Sequence, residues 1–117
     1  MATVAVIKDN VESTITDNEI VILDFWAAWC GPCRAFAPVF EKVSADNPDI
    51  VFGKVDTEAE RELAAAFQIS SPPTLVVIRD RTVLLAQPGA LPEAALADVV
   101  RQVRAVDMEQ VRAGASA

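Results

Sequence analysis

Apolar and polar positions alternate along this chain in short, well-separated blocks. Val4-Ala-Val-Ile7 is a brief apolar run and predicts a strand. Asp9 with Glu12 three residues on reads as a helix start, and Val11 and Ile15 give that helix a narrow apolar face. Asp17-Asn18 ends it. Ile20 to Trp26 is apolar on both alternate sets, as expected of a central strand covered on both faces, and Asp24 alone interrupts it. From Arg34 to Val43 the period changes: Phe36, Val39, Phe40 and Val43 fall at i, i+3, i+4 and i+7, a helix with Pro38 inside it and a kink expected there. Asp46-Asn-Pro-Asp49 reads as a turn, and Ile50 to Val55, containing Lys54, as the next strand.

The second half repeats the alternation. Thr57-Glu-Ala-Glu60 has the form of a capping box opening a helix whose Leu63, Ala64 and Phe67 face inward. Leu75 to Ile78 and Thr82 to Ala86 predict two strands joined by Arg79-Asp80-Arg81. Leu91 to Met108 predicts a last helix, with Leu96, Val99, Val100, Val103 and Val106 on one face. From Asp107 to Ala117 the residues turn small and polar, expected as a fraying helix end and a flexible tail. The division is thus one domain over 1–106 and a tail over 107–117.

Composition narrows the possibilities. For 117 residues one domain is the natural count, and 52% apolar residues suffice for one buried core. A net charge of −7 argues against nucleic acid and anionic membrane surfaces as partners. No apolar run approaches membrane-spanning length. The first residues, Met1-Ala-Thr-Val-Ala-Val-Ile-Lys-Asp, lack the pattern of a signal peptide. Two cysteines without a disulfide framework fit a reducing compartment, and the expected location is the cytoplasm.

Those two cysteines carry the chemistry. Phe25-Trp-Ala-Ala-Trp-Cys-Gly-Pro-Cys33 lies where the central strand gives way to a helix. There Cys30 sits at the helix N-terminus, where unpaired N–H groups and the helix dipole favour an anion and lower the thiol pKa. Cys33, one turn inward, is expected to be less exposed. Exchange follows: Cys30 attacks a disulfide, and Cys33 resolves the mixed disulfide. Pro32 suits the first helical turn, and Gly31 lets backbone approach closely. Half a zinc site is a rival reading, but four ligands are needed, and the chain has no further Cys and no His; a cluster shared between two chains stays open. A purely structural bridge would gain little, since so short a ring removes little chain entropy. Asp24, placed in an apolar strand, would be desolvated and become a proton acceptor near neutral pH, unless it turns to solvent at the strand end.

Val21-Ile-Leu-Asp-Phe-Trp-Ala-Ala-Trp-Cys-Gly-Pro-Cys-Arg34 resembles the bacterial thioredoxins. So do Ala37-Pro38, Lys54-Val55-Asp56, Pro73-Thr74 and Gly89-Ala90-Leu91, and the likeness runs from about Val4 to Val106. The resemblance implies an α/β thioredoxin fold with a central mixed five-stranded sheet flanked by four helices. It also implies a monomeric protein-disulfide reductase that binds no cofactor of its own. Its electrons would come from NADPH through a flavin-containing thioredoxin reductase and pass to disulfide-containing client proteins. By the same likeness Asp24 assists deprotonation of Cys33, and Lys54 approaches Asp24, against the plainer reading of a solvated lysine. Pro73 would be the family's cis proline, beside a client groove of Trp29, Gly31, Pro32, Pro72, Pro73, Pro88 and Gly89. Gly-Pro between the cysteines favours a reductant over an oxidase or isomerase.

The chain departs from the family pattern at three points. Pro72 stands where a residue with a backbone N–H is usual, and that N–H would pair with an extended client segment. One lost bond weakens client binding by about 1 kcal/mol. Pro88 replaces a branched apolar residue; the plainer reading is that both prolines only stiffen loops. Arg81 occupies a hairpin position that favours Gly. A rival function follows from the altered groove: a client-restricted docking or holdase module whose cysteines are incidental.

Overall fold

The computed structural model describes residues 2–116. In chain order these form β1 (Val4–Ala5), α1 (Val11–Thr16), β2 (Ile20–Trp26), α2 (Gly31–Asp46), β3 (Val51–Asp56), α3 (Arg61–Ala66), β4 (Thr74–Arg79), β5 (Thr82–Pro88), α4 (Glu93–Ala105) and α5 (Met108–Ser116). The strands make one five-stranded sheet in the order β1-β3-β2-β4-β5. β1, β3 and β2 run parallel, while β4 is antiparallel to β2 and β5 to β4. The mixed sheet is the expected one.

β2 lies at its centre, and its unbroken apolar run has the expected cause. Ile20 and Ile22 pack with Phe36, Phe40 and Val43 of α2 and with Leu96, Val100 and Val103 of α4. Val21, Leu23 and Phe25 point the other way, into a second core with Val55, Val76 and Leu63, backed by Val11 and Ile15. Successive strand residues alternate between these faces, so Asp24 and Trp26 share the α2 face with Ile22. Gly53 sits between β1 and β2, where a Cβ would come within 2.5 Å of Val6 Cγ2 and 2.9 Å of Leu23 Cδ2. Only glycine lets β3 lie this close to its neighbours.

Three helix boundaries differ from expectation. The residue before α1 is Asn10, not Asp9, and its Oδ1 accepts the Ile7 N–H at 2.8 Å. Thr57 does not open α3, whose flanking residue is Glu60. Instead Asp56 Oδ1 accepts the N–H groups of Glu58 and Ala59, and Thr57 spends both its donors on the Trp26 carbonyl. The expected single last helix is two. Val106 is extended, and Asp107 Oδ1 accepts the N–H groups of Glu109 and Gln110 to start α5. Met108 is buried, so residues 108–116 form a fifth helix where a flexible tail was expected.

What ends α4 is a side chain from the sheet. Arg79 Nη1 donates to the carbonyls of Val103 at 2.9 Å, Arg104 at 3.3 Å and Val106 at 2.7 Å. It satisfies carbonyls that a helix end leaves without partners. Arg79→Met is expected to lower stability by about 2–3 kcal/mol, because charged hydrogen bonds are lost and carbonyls are stranded. Chemical denaturation checks this; an unchanged midpoint would refute the capping role. At the hairpin, Asp80 and Arg81 both take left-handed backbone, φ 49° and 65°. Asp tolerates that geometry better than Arg, as the sequence implied.

Candidate active site

β2 delivers the chain to the site, and α2 begins there. Cys30 caps α2 in extended conformation, with Pro32 in the first turn. The Cys30 N–H donates to Ala27 O at 3.2 Å, and Cys30 Sγ accepts the Cys33 N–H at 3.1 Å. A disulfide joins Cys30 and Cys33, their Cα atoms 5.2 Å apart. The cap carries the chemistry. When the bridge is reduced, an N–H and the positive end of α2 already face Cys30 Sγ, which favours its thiolate. Both cysteines are 4% exposed, so the expected difference in burial between them is not present. Arg34, one turn into α2, donates from Nη1 to Ala28 O at 2.7 Å and fixes the loop before the cysteines.

A second segment closes on Cys30. The Pro72–Pro73 peptide is cis, and the Pro72 carbonyl oxygen lies 3.5 Å from Cys30 Sγ. Pro73 is buried, and its carbonyl accepts the Gly89 N–H at 2.8 Å. Pro88, last residue of β5, pairs with Thr74, and Gly89 takes φ +102°. The structure therefore brings Pro72, Pro73, Pro88 and Gly89 together beside the disulfide. Gly31 and Pro32 are exposed on the other side. Trp29 is 67% exposed, and its Nε1–H donates to Glu58 Oε1 at 2.9 Å.

The two central strands supply a pair of ionisable groups, one of them buried. Asp24 is 1% exposed, and neither carboxylate oxygen has a hydrogen-bond partner. Burial pushes its pKa from 3.8 to about 6, and the Lys54 charge pulls the other way. Lys54 stands opposite Asp24 in the β2–β3 register. Its amine does not pair with the carboxylate; it lies over the Trp26 ring, 5.4 Å from the centroid. Trp26 and Lys54 line a cavity of about 140 Å³ together with Cys33, Ala27, Ala28 and Arg34. Trp26, Thr57, Glu58 and Arg34 were not read as site residues from sequence. Their roles depend on cross-strand and loop contacts that residue spacing does not encode.

A disulfide closed across the first turn of a helix, fed by a central strand that carries a desolvated carboxyl, defines a dithiol–disulfide oxidoreductase. The comparisons agree. The thioredoxin family model matches residues 2–102. A Streptomyces coelicolor protein that carries a thioredoxin name is 60% identical over 95% of this chain and 83% of its own length. The thioredoxin of Bacillus subtilis is 36% identical over 84% of this chain and 97% of its own. Among solved structures, a thioredoxin mutant from Halobacterium salinarum superposes with TM-score 0.80 at 30% identity, over 86% of this chain and 90% of that one.

The chain belongs to the thioredoxin family. It is a protein disulfide reductase with Cys30–Cys33 as its redox-active pair, and thioredoxins carry no cofactor themselves.

Proposed function

We propose that Cys30 is the attacking thiol and Cys33 the resolving one. The Cys30 thiolate attacks one sulfur of a client disulfide, the client S–S bond breaks, and a client thiolate leaves. Cys33 then loses its proton to Asp24, and its thiolate attacks Cys30 Sγ. The mixed disulfide breaks, the second client thiolate leaves, and the Cys30–Cys33 disulfide forms. Two electrons have passed to the client. The observation that carries this assignment is the helix cap: Cys30 Sγ, not Cys33 Sγ, receives the N–H at the positive end of α2.

Recharging falls to a thioredoxin reductase that draws on NADPH through a flavin, with this protein acting as a monomer in the cytoplasm. None of the described helices is long and apolar enough to cross a membrane. Gly31-Pro32 between the cysteines supports a reductant. Equilibration with a dithiothreitol buffer tests this: the expected potential lies near the known thioredoxin value, about −270 mV. A potential near about −180 to −120 mV would instead mark an isomerase or oxidase.

The client groove is Trp29, Gly31, Pro32, Pro72, Pro73, Pro88 and Gly89. It is poor in donors: four of these residues are prolines, which have no N–H, and the Gly89 N–H is spent on Pro73. The Pro72 carbonyl can accept a client N–H but nothing returns the bond. Pro72→Ile restores a donor and is expected to raise kcat/KM about fivefold with protein disulfides, the worth of one net hydrogen bond. A small aromatic disulfide without a peptide backbone should react at an unchanged rate. Equal rates for wild type and variant with several protein disulfides would remove Pro72 from client recognition.

A further inference from the structure

Lys54 has a choice of partners, and the one it takes is unexpected. The buried carboxylate of Asp24 lies opposite it in the sheet register, unpaired on both oxygens. Asp56 and Glu60 share an outer groove with it. Yet among the described residues no ion pair forms with any of them, and the amine rests on the face of Trp26. At 5.4 Å the ammonium is within the range at which an indole quadrupole attracts a cation. Trp26 is itself held in place, because its carbonyl accepts both the N–H of Thr57 at 2.9 Å and the Thr57 hydroxyl at 3.0 Å.

We propose that Trp26 is a positioning residue: its ring parks the Lys54 ammonium off Asp24 and so sets the pH at which Asp24 takes up a proton. This deepens the exchange mechanism and rests on Asp24 as the acceptor for Cys33. An ammonium on the carboxylate would stabilise its charged form and weaken it as a base at neutral pH. The surroundings leave Lys54 as the group that decides. β4 presents Leu75 opposite Asp24, α4 contributes Leu96, Val100 and Val103 to this face, and Cys33 of α2 is held in the disulfide and does not titrate. Arg34 of α2 is engaged with Ala28 O. Trp26 and Lys54 also line both the outer groove and the cavity at Cys33.

The test is a carbon-13 titration of the Asp24 carboxyl in the oxidised full chain. Trp26→Leu frees the ammonium and is expected to lower the Asp24 midpoint by about one pH unit. Trp26→Phe, which keeps a ring face, should lower it by less than half as much. In a Lys54→Met background the midpoint should rise, and Trp26→Leu should then change nothing. An unmoved midpoint in Trp26→Leu, or the same fall with Lys54→Met, would overturn the proposal. A readout without mutation guards against a variant that fails to fold: the Lys54 ε-methylene protons should be shifted upfield by the ring current, and ordinary shifts would contradict the parking. The titration reports on Asp24 whether or not it serves Cys33, so loss of the exchange role would show separately in Asp24→Asn kinetics.

Discussion

Cys33→Ser is expected to stop turnover while leaving the first attack intact. Cys30 keeps its place at the α2 N-terminus, with the residue 33 N–H directed at its sulfur. It therefore still opens a client disulfide. What is lost is the second thiol, whose Cα is 5.2 Å from that of Cys30 and whose attack needs no encounter. Intramolecular nucleophiles gain effective concentrations of at least about 10⁵ M when well oriented. Millimolar external thiol cannot replace that, so steady-state turnover should fall by at least about 10³-fold. The variant should accumulate as a client-linked mixed disulfide, visible by mass as one client per chain and released by dithiothreitol. Cys30→Ser should form no such adduct. Equal trapping by the two single variants would refute the assignment of roles.

Asp24→Asn has two consequences of opposite sign. A carboxyl whose ordinary value is 3.8 and whose folded value is about 6 is charged at neutral pH in a site with no partner for either oxygen. Its folded value is raised, so its contribution to stability is intact below pH 3.8 and is lost as the pH rises through about 6. The cost at pH 7 is about 3 kcal/mol. Asparagine matches the protonated carboxyl in shape and polarity, so the variant should be about 2–3 kcal/mol more stable than wild type at pH 7, with no gain at pH 3. Thermal unfolding at the two pH values measures the difference. Activity moves the other way. Without a proton acceptor behind Cys33, resolution at pH 7 should slow by about 10²-fold, and raising the pH should recover much of it as Cys33 ionises unaided. A variant with unaltered stability at pH 7 would mean that Asp24 is not desolvated as its burial implies.

The parts of this molecule that were legible in the sequence are those governed by local pattern and by elimination. Ile20 to Trp26 reads as a doubly covered strand because the sheet has a core on each face, and its bounds in the structure are the same. Cys30 and Cys33 stand out because the chain offers no other thiol or imidazole. The cis proline at Pro73 followed from family likeness, not from residue physics. Helix starts were less legible. Asp9 and Thr57 have the side chains of caps, but Asn10 and Asp56 sit in the turns that the tertiary fold requires. Asp107 was equally able to start a helix; its signal was masked by the apolar period running up to Val106. Contacts between distant segments left no pattern: Arg79 on the end of α4, Thr57 on the Trp26 carbonyl, and Lys54 on the Trp26 ring. For Lys54 a place near Asp24 was implied by family likeness alone, and the sheet register provides it, but the choice between carboxylate and indole is made by geometry across the sheet.

The central claim is electron transfer through the Cys30–Cys33 pair, and one coupled assay tests it most directly. NADPH oxidation is followed with thioredoxin reductase, this protein and a protein disulfide such as insulin, alongside the Cys30→Ser/Cys33→Ser double variant. The prediction is steady NADPH consumption with wild type and none with the double variant, while chemically pre-reduced wild type reduces the substrate stoichiometrically. Pre-reduced protein that binds the substrate yet leaves its disulfide intact would contradict the account and leave a docking module in its place.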